Sequence, residues 1–194
     1  MGDLASALVF SLAILRTAGI PPELGAPRCD PPPHELSQLL HDTGRRVRAL
    51  TPRLASAIAD GATRSPTLLG LLRMLQQNDV IVQMLDDPNV RPPTAAKLII
   101  VPVPGPVRFV RVHVGHRRAG DGLVALLGHE LVHALEVASD PRVRDAATLE
   151  ALYRRIGFGL DKDRQYDSDA AHVVERQVRR ELESYDEECP LTPR

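Results

Sequence analysis

The run His129-Glu130-Leu131-Val132-His133 sets two imidazoles four residues apart, with a carboxylate directly after the first. On an α-helix this spacing stacks both rings on one face, where their nitrogens can reach a single metal ion while Glu130 lies alongside. A divalent cation held by neutral imidazoles lowers the pKa of a bound water toward neutrality, and a neighbouring carboxylate can take its proton. The chemistry indicated is metal-assisted hydrolysis. Positions 126, 127, 131, 132, 134 and 135 are uncharged and none is proline, as a buried helix carrying ligands requires. Flanked by Leu, Val and Ala, the two rings are expected to be at least half buried, and buried imidazoles need partners.

Residues 126–135 resemble the extended HExxH signature of the zincin metallopeptidases, and a looser likeness covers the strands before them and the helices after. The resemblance is to a gluzincin-like, bacterial branch. It implies zinc as cofactor, a peptide or protein as substrate, and Glu130 as the general base. It also implies an α+β fold: a helical N-terminal part, a small three-stranded sheet, the HExxH helix and two further helices. A degenerate domain of the same family, binding a metal or a partner without turnover, is the alternative.

Zinc in a hydrolytic site takes three protein ligands and leaves a fourth position to water, so His129 and His133 need a third. In metzincins it is a histidine six residues past the second, after a glycine turn. Here those places hold Ser139 and Glu136, which excludes that subclass. In gluzincin-like enzymes it is a carboxylate on a later helix. Asp167 comes first, because Asp167-Ser168-Asp169-Ala170-Ala171 resembles the helix start that supplies the ligand, with aspartate in place of glutamate. The shorter arm asks the backbone to come about an ångström closer. The same residue could instead cap the helix. Asp163 is second, since it precedes Asp167 by four, like a ligand followed by a residue that orients a histidine. Glu150, on the next helix, is third. Glu136 lies in line with both imidazoles and reads as a partner orienting one of them, and His172 is the remaining alternative. For the oxyanion, Tyr166, Tyr153, His113 and His172 all stay open.

These residues need elements to position them. Residues 34–60 read as one long or two short helices, with Leu36, Leu39, Leu40, Val47, Leu50 and Leu54 apolar and Pro52 a break or kink. Ser65 and Pro66 form a cap and first turn, opening a helix to about Gln77. Residues 80–85, 97–103 and 108–114 read as strands, the last two joined as a hairpin through Pro104 and Gly105. By the family resemblance, strand 108–114 is the edge that an extended substrate would join, and a strand simply buried on both faces is the equal alternative. The HExxH helix is expected to start at a cap on Asp121 and end near residues 139–141, with Gly128 allowing close approach to the sheet. Further helices are predicted over 144–156, stopped by Gly157, and over 166–182.

The chain of 194 residues suits one domain, placed at 34–185 after a linker at 20–33 and before a tail at 186–194. The linker is set by the six prolines between Gly19 and Pro33. A formal net charge of -1 gives no electrostatic footprint for nucleic acid. Arg45, Arg46 and Arg48, like Arg179 and Arg180, read as solvated helix faces. The apolar stretch 4–15 has the length of a signal-peptide core and is too short to span a bilayer, so residues 1–19 read as a leader and the mature chain as lacking a stable span. Export to the periplasm or outside is the expectation. Asp3, and the absence of Lys or Arg before the apolar run, argue for the cytoplasm instead. Cys29 and Cys189 could be joined in an oxidising compartment, tying the two ends of the domain.

Overall fold

Alternating and helical apolar patterns build an α+β fold, seen here in a computed structural model that describes residues 46–160 and 165–189. In chain order the elements are β1 (Val47–Ala49), α1 (Pro52–Arg64), α2 (Pro66–Gln76), β2 (Val80–Asp86), β3 (Ala96–Val101), β4 (Arg108–Val114), α3 (Gly120–Ser139), α4 (Ala146–Ile156), β5 (Phe158–Leu160), β6 (Gln165–Asp167) and α5 (Asp169–Glu188). The leader, the linker, Cys29 and Asp163 lie outside the described residues.

The main sheet has four strands in the order β1-β2-β4-β3, with β1, β2 and β4 parallel and β3 antiparallel to β4. Along β4 the period of two is plain. Arg108, Val110, Val112 and Val114 are buried, while Phe109, Arg111 and His113 are half-buried on the other face. The buried face, with Val80, Val82 and Met84 of β2, packs under the helices. Above it α3 runs through the middle of the helix layer, touching α1, α2 and α5 as well as β2 and β3. By length and composition α3 could cross a membrane, yet every residue from Leu123 to Ala134 is buried inside the protein.

Several expectations from the sequence meet a different outcome. Residues 47–49 are strand, not helix, and the sheet accordingly has four strands instead of three. Of the two readings of Pro52 the break is the one seen: it opens α1, in whose first turn a missing N–H costs nothing, and kinks no helix. Strand 108–114 is interior, bonded to β2 on one side and β3 on the other, so it has no edge to offer; among the described residues the edges belong to β1 and β3. Helix α3 is capped at Ala119, and Asp121 is instead one of three carboxylates around Arg64, with Asp60 and Asp186. That cluster joins the end of α1, the start of α3 and the end of α5. The last helix starts at Asp169 and continues through Glu188, because Tyr166 and Asp167 belong to β6 and Ser168 supplies the cap, accepting from the Ala171 N–H. Cys189, just past α5, is disulfide-bonded.

Arg108 fastens sheet to helix. Its side chain is only 3% exposed, and Nη1 donates to the carbonyls of Val137 and Asp140, each at 2.7 Å. Nη2 donates to the Ala138 carbonyl at 3.1 Å. These carbonyls lie in the last turn of α3 and just past it, where, among the described residues, Val137 and Asp140 otherwise accept only from the Asp140 and Val143 N–H groups at 3.3 and 3.0 Å. Asp79 accepts from the same guanidinium at 2.8 and 2.6 Å, which balances the buried charge. That contact holds the Asp79 carboxyl below the usual carboxylate range, and Arg142 and Arg155 do the same for Asp140.

Arg108→Ala should destabilise the fold by about 1–3 kcal/mol, since it removes a charged donor from the carbonyls around the end of α3; a urea midpoint within error of the unaltered chain would refute the brace. Because these two carboxylates titrate lower folded than unfolded, their contribution is full above the unfolded-state pKa of about 3.9 and is lost as pH falls toward the folded values. The urea midpoint should therefore drop between pH 6 and pH 3, and drop less in Asp79→Asn.

Candidate metal centre

The burial of α3 decides where its polar residues point. His129 and His133 are 7% and 5% exposed, one turn apart, with ring centroids 4.8 Å from one another and Nε2 atoms 3.1 Å apart. Asp167 arrives from the end of β6. There β5 and β6 form a two-stranded antiparallel ribbon, with Phe158 opposite Asp167. Gly157, which ends α4, permits this path: a Cβ there would run into the Asp167 carbonyl oxygen. The Oδ1 of Asp167 lies 3.3 Å from His129 Nε2 and 3.5 Å from His133 Nε2.

Three donor atoms thus make a triangle with edges of 3.1, 3.3 and 3.5 Å. Ligands about 2.0–2.1 Å from a tetrahedral ion stand roughly 3.3–3.4 Å from one another, so the group could hold a metal ion as it stands. The proton positions argue the same way. His133 Nδ1 is 2.7 Å from Glu136 Oε2, and a carboxylate can only accept, so Nδ1 carries a proton and the neutral ring turns its Nε2 lone pair inward. Glu175 Oε2 stands 3.4 Å from His129 Nδ1, close enough to act on its charge though without hydrogen-bond geometry. Lone pairs from two imidazoles and one carboxylate would repel at these separations, unless a cation or shared protons lie among them.

Without a cation the carboxylates favour protonated rings. Burial opposes the charge on His129, yet Asp167 and Glu175, helped by Glu130, raise it to about 9. For His133 burial is again outweighed, by Asp167 and Glu136, and it rises to about 10. Burial works against an ionised Asp167 too, but His129 and His133 hold it far below the usual carboxylate range. Glu130 follows the opposite course. It is 5% exposed, its Oε2 has no hydrogen-bond partner among the described residues, and burial pushes its carboxyl up against the pull of the two histidines. Such a carboxyl exchanges a proton at less extreme pH than an exposed glutamate.

Tyr153 is buried with its ring edge-on to His133, centroids 5.4 Å apart, and burial keeps its phenol protonated. His172 is at the mouth, with Nε2 3.0 Å from Asp167 Oδ2 and its ring stacked on Phe158. The other residues singled out in the sequence are placed elsewhere or differently. Glu150 pairs with Arg154 on α4 and joins neither donor group. His113 is across the sheet, 2.8 Å from Asp87. The side chain of Tyr166 lies outside the described residues. Glu136 makes the orienting contact described above.

Glu175 is the residue that sequence reasoning passed over. It sits on α5 three before Val178 and four after Ala171, both buried, so a carboxylate falls beside an apolar stripe. Gly128 explains how it reaches the centre. A Cβ there would stand 3.0 Å from Val178 and 3.5 Å from Leu68, so the glycine lets α5 and α2, rather than the sheet, come close to α3. Comparison with protein-family models, curated proteins and solved structures finds no match for this chain.

Cobalt(II) titration should show that Asp167→Asn weakens binding more than Glu136→Gln, for which the loss of an orienting contact predicts about 10–100-fold. Equal affinities in the two variants and the unaltered chain would remove Asp167 from the group.

Proposed function

We propose that this protein is a zinc-dependent hydrolase that cleaves peptide bonds, with His129, His133 and Asp167 as ligands and Glu130 as general base. The observation that carries this reading is the triangle of three inward-facing donors beside a buried carboxylate. Zinc bound there would supply a water of lowered pKa and polarise a carbonyl.

The protein's own residues supply the rest. Glu136 holds the His133 ring with Nε2 inward, which is how a distal carboxylate fixes a ligand histidine, and Glu175 stands 3.4 Å behind His129 Nδ1. Glu130, next to His129 and shielded from solvent, accepts a proton from water at the centre and returns it to the leaving nitrogen. Burial raises its pKa above that of an exposed glutamate, the direction that favours both taking and giving a proton. Tyr153, whose ring meets His133 edge-on and whose phenol stays protonated, is the neutral donor nearest at hand for charge developing on the substrate oxygen. The antiparallel edge strand β3, rather than β4, is the strand to which an extended peptide would add. The disulfide at Cys189 supports an oxidising compartment, in keeping with export.

Glu130→Gln should keep its zinc, measured by elemental analysis, and lose about 10²–10⁴-fold in turnover of a broad peptide library. Zinc bound with no cleavage by the unaltered chain under any condition would favour the partner-binding alternative. No zinc at all would end both.

A further inference from the structure

A second group of donors stands beside the first, on its solvent side. His172 and Glu175, on α5, meet His129 so that one donor atom from each lies within 4.8 Å of the other two. His129 belongs to both groups because its two nitrogens face different ways. Nε2 faces His133 and Asp167, and Nδ1, on the other side of the ring, lies 3.4 Å from Glu175 Oε2. That Nδ1 is buried, in a side chain 9% exposed, and has no hydrogen-bond partner among the described residues. A buried nitrogen left so is costly, and its neighbours here are a carboxylate and a second imidazole, a donor set suited to a divalent transition metal. The His172 ring is centred 5.1 Å from that of His129. Its side chain is 40% exposed, whereas His133 is buried, so solvent reaches the outer group first.

We propose that His129 Nδ1, His172 and Glu175 form an outer cation position, through which a divalent metal ion passes on its way to the buried group of His129, His133 and Asp167. The inference rests on reading that inner group as the resident metal site. His129 serves one position at a time, since a neutral imidazole has a single lone pair. With a cation at Nδ1 the ring proton is on Nε2, where Asp167 and His133 can accept it. When the cation moves inward the proton moves to Nδ1, facing Glu175. Each chain then holds one ion, in one of two places. Asp167 spans them, with Oδ1 toward the inner histidines and Oδ2 toward His172. An arriving ion can exchange its waters for protein donors in steps instead of all at once.

The test is cobalt(II) titration, followed by visible absorption, of His133→Ala, in which the inner group is broken. This variant should still take one cobalt per chain, about tenfold or more weaker than the unaltered protein, and adding Glu175→Gln or His172→Ala should weaken it about tenfold again. Complete loss of cobalt in His133→Ala, or binding indifferent to both added changes, overturns the outer position. If circular dichroism shows that His133→Ala does not fold, His133→Leu, closer in volume, carries the same comparison. An unaltered chain that takes no cobalt overturns the proposed function itself, so the two failures are told apart.

Discussion

Three electron-pair donors crowd together inside an apolar layer: His129 Nε2, His133 Nε2 and Asp167 Oδ1, none more than 3.5 Å from another. Water cannot screen them, because the helix that carries the histidines is buried along its middle. Each therefore has to be fixed from behind. Glu136 does this for His133, Glu175 stands behind His129, and the Ser168 N–H donates to Asp167 Oδ1 at 2.7 Å. Burial of α3 thus dictates a ring of acidic residues that a surface helix would not need.

The helix layer is shaped to meet that demand. Gly128 brings α5 against α3, and the same close approach that packs Val174 and Val178 also delivers Glu175. At the other end of the interface, Arg64 gathers Asp60, Asp121 and Asp186, so that the first turn of α3 and the last turns of α1 and α5 share one guanidinium. Apolar contact brings the helices together, and these polar contacts set where along their lengths they meet.

Local signals made much of this legible. The alternation of β4, the cap at Ser65 and the stop at Gly157 are written in neighbouring residues, and so is the placing of His129 and His133 on one helix face. Asp167 stood out by its helix-like setting, and the structure brings it to the two histidines although it lies in a strand, with Ser168 as the cap. What escaped was non-local. Val47 to Ala49 are strand only because β2 lies parallel to them, about 35 residues further on. The interior place of β4 follows from a crossover that no window of sequence contains. Glu175 needs both the α3–α5 contact and the glycine that permits it, and Gly128 alone did not say which neighbour it faces.

The reach of Arg108 bears on how this molecule comes apart. Its backbone is in the third strand of the sheet order and its side chain closes the final turn of α3, so the helix end cannot fray without releasing a charged group into the core. Sheet and central helix are thereby joined as one cooperative foldon. Amide protons near His129 and His133 would then exchange through opening of the whole unit, and not by local breathing of the helix that bears them.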